Sequence, residues 1–222
     1  MSNYMNSSEC AVLSRRNFLK VGAAAFVTAA DLTPAALKAD TLENTAGNPN
    51  QIGFLFDQRK CVNCKMCAKS CENTMTWDEG TAWRRVLSSE EKDGYFLSIS
   101  CNHCEKPVCA SVCPVSAYSK RKKDGVVSFN REVCVGCKYC TYACPYHAPQ
   151  FSKAAGRINK CLFCFERLDM GERPSCVSGC PMGALSFGLT KDIKQTPGAV
   201  ARLEKLPDPE ITKPSWVIIP KS

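Results

Sequence analysis

Apolar and polar residues alternate along this chain only in short bursts, a pattern that predicts brief strands rather than long helices. Tyr118-Ser119-Lys120 and Val126-Val127-Ser128-Phe129 flank an Asp124-Gly125 turn and read as a β-hairpin. Gln150–Ser152 and Arg157–Asn159 fit a second hairpin, turning at Ala154-Ala155-Gly156. Residues 184–187 are a further strand candidate, and 83–87 and 95–99 are strand-like stretches in an insertion spanning 72–100. Asn130 is placed to cap a short turn. Beyond about residue 190 the prolines at 197, 207, 209, 214 and 220 predict an extended tail lying over the surface. No stretch reaches the ~18 continuous apolar residues of a bilayer span.

The N-terminus departs from this pattern. Ser14-Arg15-Arg16-Asn17-Phe18-Leu19-Lys20 precedes a weakly apolar run from Val21 to Ala30, too short to span a membrane and typical of a targeting segment. The stretch resembles the twin-arginine signal, which implies export of an already folded protein to the extracytoplasmic face. Small residues from Ala35 to Ala39 offer a cleavage site, so residues 1–39 are set apart as a leader.

Composition changes the picture. Seventeen of 222 residues are cysteine, and without them the apolar fraction drops from 45 % to about 37 %, so aliphatic side chains alone do not fill the interior. Cys10 stands apart in the leader, and the other sixteen fall into four groups of four. Cys61, Cys64, Cys67 and Cys71 are spaced C-x2-C-x2-C-x3-C, and Cys134, Cys137, Cys140 and Cys144 repeat that spacing. Cys101, Cys104, Cys109 and Cys113 read C-x2-C-x4-C-x3-C; Cys161, Cys164, Cys176 and Cys180 read C-x2-C-x11-C-x3-C. Proline follows the last cysteine of three groups, and Glu72 stands there in the first.

Sixteen thiolates at four per cluster match four [4Fe–4S] clusters with no remainder. A tight C-x2-C-x2-C loop wraps three iron corners and lets backbone N–H groups point at sulfur, which lowers the cost of burying negative charge. The fourth cysteine is directed away from that loop, and in two-cluster bacterial ferredoxins it ligates the other cluster. Disulfides fit badly, because a bridge across C-x2-C closes almost no loop. Structural zinc prefers paired knuckles, a form only the fourth group approaches. The repeat therefore predicts an α+β fold of two ferredoxin-like units joined by insertion over residues 52–190, with short hairpins and helices around the clusters.

The formal charge of +8 does not indicate nucleic-acid binding. Residues 1–39 carry +2 of it, and four oxidised clusters with their thiolates contribute about −8 against the remaining +6. No phosphate loop, Ser-His-Asp set or H-E-x-x-H motif is present, and every cluster iron would be cysteine-ligated, so no catalytic residue is assigned.

Three segments carry a family resemblance: Tyr95-Phe96-Leu97-Ser98-Ile99-Ser100-Cys101-Asn102-His103-Cys104-Glu105, Cys140-Thr141-Tyr142-Ala143-Cys144-Pro145-Tyr146-His147-Ala148-Pro149-Gln150, and Thr212-Lys213-Pro214. Together they resemble the iron–sulfur subunit of the dimethyl sulfoxide reductase family over roughly residues 52–220. The resemblance implies interleaved units. Cys180 would complete the set of Cys61, Cys64 and Cys67; Cys71 that of Cys161, Cys164 and Cys176; Cys144 that of Cys101, Cys104 and Cys109; and Cys113 that of Cys134, Cys137 and Cys140. It also implies a non-catalytic wire between a quinol-oxidising membrane subunit and a molybdopterin catalytic subunit, in anaerobic respiration. The tail at 191–222 would then contact partners. Equivalent subunits of nitrite, tetrathionate or polysulfide reductase systems, or a free-standing polyferredoxin, are the alternatives. Two features depart from the family: the chain has its own leader, and His147 stands where a small residue is expected.

Four other features invite a role. His103 and His147 are read as partly exposed loop residues, with a hydrogen bond to a cluster sulfur as the rival reading for His103. Lys120–Lys123, at the hairpin tip, are read as solvated, with docking to an acidic partner as the rival. Trp77, Trp83 and Trp216 are assigned to packing or subunit contacts.

Overall fold

Ile52–Asp57, an apolar run with Gly53 inside it, forms strand β1 at the centre of a three-stranded sheet. The computed structural model describes residues 47–88, 94–204 and 206–221, so the leader and Cys10 lie outside the described residues. Elements are short throughout. Helix α1 (Met66–Met75) is followed by strands β2 (Arg85–Ser88) and β3 (Phe96–Ile99) and the one-turn helix α2 (Val108–Ser111). Strands β4 (Tyr118–Lys120) and β5 (Val127–Phe129) lead to α3 (Tyr139–Ala143) and then to β6 (Gln150–Ser152) and β7 (Arg157–Asn159). Helices α4 (Phe165–Asp169) and α5 (Ser175–Ser178), strand β8 (Leu185–Leu189), helix α6 (Thr190–Ile193) and strand β9 (Trp216–Ile219) complete the order. This is a small mixed helix-and-strand architecture, consistent with the α+β ferredoxin-like expectation drawn from the cysteine repeat.

Both hairpins form where expected. Tyr118 faces Phe129 across β4 and β5, and Gln150 faces Asn159 across β6 and β7. Gly125 has φ +70° at the first turn, a conformation that explains glycine there. Asn130 accepts a hydrogen bond from the backbone N–H of Glu132 at 2.9 Å, the cap anticipated ahead of the third cysteine group. The strand-like insertion pairs as β2 with β3, and its start at residue 72 falls inside α1.

The end of the chain is not a surface tail. Trp216, Val217, Ile218 and Ile219 are all buried, and β9 runs parallel to β1 from Phe54↔Trp216 to Asp57↔Ile219. Pro214 and Pro220 bracket this apolar run without interrupting it, so neither removes a ladder donor. β8 lies antiparallel on the other side of β1. Gly53 permits the close approach of β9: a Cβ at that position would overlap the Ser215 carbonyl oxygen, to which Phe54 N–H donates at 3.1 Å. Backbone against backbone cannot yield, so Gly53→Val is expected to cost about 2–3 kcal/mol. A lowered thermal midpoint of the iron-loaded protein checks this.

The main core joins the sheet to the cysteine loops. Phe54 stacks on Phe163 at 4.1 Å between centroids, and Phe187 and His103 meet the same ring edge-on. Cys67, Cys71, Cys101, Cys144, Cys161 and Cys176 belong to this buried cluster, alongside aliphatic residues such as Leu97, Ile99, Leu185 and Ile218. Trp216 is part of it, and Trp77 and Trp83 pack against its edge, in keeping with their assignment to packing.

Candidate metal centre

Each cysteine group opens with the same backbone device. The residue just before the second cysteine is left-handed in all four: Asn63 (φ 56°), His103 (φ 43°), Gly136 (φ 68°) and Phe163 (φ 58°). This turns the backbone N–H of that residue toward the sulfur of the first cysteine. Gly136 N–H donates to Cys134 Sγ at 3.4 Å and Phe163 N–H to Cys161 Sγ at 3.3 Å. Asn63 and His103 do the same for Cys61 and Cys101. Gly136 and Asn63 are residue types that take this conformation readily; for a buried phenylalanine it is an outlier held by its surroundings. Such N–H groups make a concavity that favours anionic sulfur.

Short helices then exchange cysteines between loops. Cys67 and Cys71 lie one turn apart on α1, so they share a helix face yet reach different sets. α1 packs on α5, which carries Cys176 and leads to Cys180. Two reciprocal bonds clasp the pair: Ser70 Oγ donates to Ser175 O and Ser175 Oγ to Ser70 O, both at 2.9 Å. α2 and α3 form the equivalent pair, with Cys109 and Cys113 on one side and Cys140 and Cys144 on the other.

Four sets of four result. Cys61, Cys64, Cys67 and Cys180 line one pocket together with Phe56, Ser98 and Leu185. Cys101, Cys104, Cys109 and Cys144 line another, with Tyr146 and Thr212. Burial raises the Cys71 thiol, and Cys161, Cys176 and Cys164 beside it add to that. Burial likewise raises Cys140, whose thiol neighbours are Cys113, Cys134 and Cys137. The structure thus brings together all sixteen sequence-predicted ligands, and each set draws its fourth member from a different motif.

The geometry suits an inorganic core larger than one ion. Among the described residues no three candidate ligands converge closely enough to hold a single metal ion. Four thiolates around one zinc at ~2.3 Å would crowd to within about 4 Å of each other. All sixteen cysteines in the described residues are unbridged. Burial is the main cause that pushes the Cys104 and Cys176 thiols up to about 12. Thiols so raised stay protonated in the bare protein, and only a bound cationic core stabilises them as thiolates. Sulfur ligands, inward N–H groups and sulfur-lined pockets together fit iron–sulfur clusters.

The sets are neighbours in succession. Cys67 of the first set is among the neighbours that raise Cys176 of the second, after burial and its own set. Cys161 of the second set adds to the main effect of burial on Cys101 of the third. Tyr118, raised chiefly by burial, sits between Cys140 of the fourth set and Cys109 and Cys101 of the third. Cys64 and Cys137, one in each terminal set, are the two exposed ligands.

Three features escaped sequence reasoning or were misread. Arg84 and Lys160 are 2 % and 1 % exposed and have no carboxylate partner among the described residues. Lys160 Nζ donates to Val127 O and Cys161 O at 2.6 and 2.7 Å. An isolated buried ion costs several kcal/mol, and hydropathy alone offered no signal that either would be inside. His103 is fully buried rather than partly exposed, because its ring fills the gap beside Phe163. Its Nδ1 accepts from Val127 N–H at 3.1 Å, and burial, then Lys160, keeps the imidazole neutral. His147 is exposed as expected. The basic hairpin tip is not simply solvated either. Lys120 Nζ donates to Cys104 O at 2.9 Å, and Arg121 and Lys123 both reach Asp169 on α4 at 2.7 Å.

Comparisons with known proteins agree with this chemistry. A family model described as a 4Fe-4S dicluster domain matches residues 92–190. The protein is 39 % identical over 185 residues to the B subunit of anaerobic dimethyl sulfoxide reductase from Escherichia coli strain K12, covering 78 % of this sequence and 90 % of that one. It is 34 % identical over 202 residues to the protein NrfC homolog of Haemophilus influenzae, covering 87 % and 86 %. The hydrogenase-2 operon protein HybA of Escherichia coli O157:H7 is 33 % identical over 212 residues, covering 82 % of this sequence and 64 % of the relative.

Proposed function

Because this chain belongs to the family of iron–sulfur subunits that includes the B subunit of dimethyl sulfoxide reductase, we propose that it carries electrons through four clusters to a molybdopterin catalytic subunit. It is a non-catalytic electron-transfer subunit of a respiratory oxidoreductase complex. In the proposed assembly a quinol-oxidising membrane subunit supplies the electrons, and the folded protein is exported by its twin-arginine leader. Each [4Fe–4S] cluster, when bound, accepts one electron and passes it on.

The observation that carries this reading is the succession of four thiol sets with one exposed ligand at each end. The protein's work is to hold each core at fixed spacing, exclude water and orient N–H groups at sulfur. Its ends suit partners. Around the first set Val62, Met66 and Met182 are exposed; around the fourth, Val133, Val135, Tyr139 and Tyr142 are, the last 82 % exposed. Exposed apolar residues grouped at both ends favour two protein contacts rather than a free carrier. A second reading, the equivalent subunit of a nitrite, tetrathionate or polysulfide system, is favoured by the chain's own leader.

Anaerobically isolated protein is expected to contain about sixteen irons and as many sulfides per chain. Without a molybdenum subunit it should show reducible clusters and no turnover of sulfoxides. Zinc in place of iron, or turnover by this chain alone, overturns the reading.

A further inference from the structure

Arg84 enters the interior from the loop before β2 and ends among sulfur. Its Nη1 donates to Ser98 Oγ at 2.9 Å and its Nη2 to Ser100 Oγ at 2.8 Å. The guanidinium carbon lies 4.6 Å from the centre of the Phe54 ring. Two hydroxyls and an aromatic face orient the cation but supply no full negative charge. Ser98 Oγ, which accepts from Arg84, also lies within hydrogen-bond reach of Cys67 Sγ, at 3.4 Å. This makes a short path from guanidinium to hydroxyl to a ligand of the first set. The same cation also faces the second set, opposing the effect of burial on Cys71 and Cys176.

We propose that Arg84 is the shared buried counter-charge of the first and second sulfur sets and raises the reduction potentials of the clusters they carry. The inference rests on the four-cluster reading. A cluster with four thiolates carries about −2 when oxidised and −3 after accepting one electron from its neighbour, with no bond made or broken. A fixed positive charge nearby favours the more negative form, and favours it more strongly in low dielectric. Arg84 suits this task because its charge persists at any physiological pH and its planar fork spans two hydroxyls at once. Lys160, beside Cys101 and Cys109 of the third set, is a natural internal contrast, since its ammonium donates to the Val127 and Cys161 carbonyls rather than to hydroxyls.

The test compares Arg84→Gln and Arg84→Lys in the intact complex, by EPR-monitored redox titration and iron analysis. Arg84→Gln keeps hydrogen-bonding capacity and loses the charge. Two of the four one-electron equilibria should shift at least tenfold toward the oxidised form, about 59 mV each, while the other two stay put. Arg84→Lys should restore most of the shift. Unmoved potentials in a fully loaded Arg84→Gln protein overturn the proposal, as does an equal shift of all four. If Arg84→Gln sheds iron, retention of iron by Arg84→Lys supports the counter-charge, and equal loss from both variants refutes it. Sixteen irons in the wild-type chain separately test the reading beneath the inference, so the two can fail independently.

Discussion

Anaerobic removal of iron is expected to turn the described core from protease-resistant to protease-sensitive, with cleavage at least a hundredfold faster. The reason lies in element size. Apart from α1, with ten residues, no helix among the described residues exceeds five, and the hairpin strands β4 to β7 have three residues each. Helices below about 12 residues and isolated hairpins are marginal in water. Packing must hold them, and here cysteines make up a large share of the packing surface. Removing the cores leaves cavities ringed by thiols and strands Arg84 and Lys160 without opposing charge. Structural zinc supplies about 10–16 kcal/mol to small domains, and the proposed clusters would stabilise the fold through the same coupling of metal binding to folding. Digestion of holo and chelated protein by the same protease, with peptides mapped, measures the effect. An apo chain that resists cleavage as the holo chain does would refute it.

How much of this was visible beforehand depends on how local the information was. The β4–β5 hairpin needed only Asp124-Gly125 and the alternation around it, and the four cysteine groups needed only spacing. Asn63 and Gly136 are residue types that accept a left-handed backbone, so two of the four loop turns were legible in principle. Phe163 and His103 hold the same conformation through tertiary packing, which no propensity scale records. Strand β9 was hidden for a different reason. A run of four apolar residues between prolines looks like a tail until β1, some 160 positions earlier, offers a parallel edge. Arg84 and Lys160 violate the ordinary rule that charge stays outside, and only the charge of the bound groups makes their burial sensible.

The exchange of fourth cysteines has the second large consequence. Cys71 lies in the first motif, four residues after Cys67 on one helix face, yet its thiol neighbours are Cys161, Cys176 and Cys164. Conversely, Cys180 belongs to the last motif and lines the cavity of Cys61, Cys64 and Cys67. Cys71→Ser is therefore expected to abolish or alter the same EPR signal as Cys164→Ser, and to leave intact the signal lost in Cys64→Ser. Cys180→Ser should behave in the opposite way and match Cys64→Ser. Each variant should lose between one and four of about sixteen irons, depending on whether an iron corner or a whole core departs. Electron delivery should suffer far more than iron content, because the sets are in series. In the proposed assembly, breaking either of the first two is expected to lower quinol-dependent turnover at least a hundredfold, while the catalytic subunit of that assembly still accepts electrons from a soluble dye. The pairing of spectra decides the matter. If Cys71→Ser reproduced the loss seen in Cys64→Ser, each motif would ligate its own cluster, and the helix clasp between Ser70 and Ser175 would join two independent loops rather than two halves of shared sites.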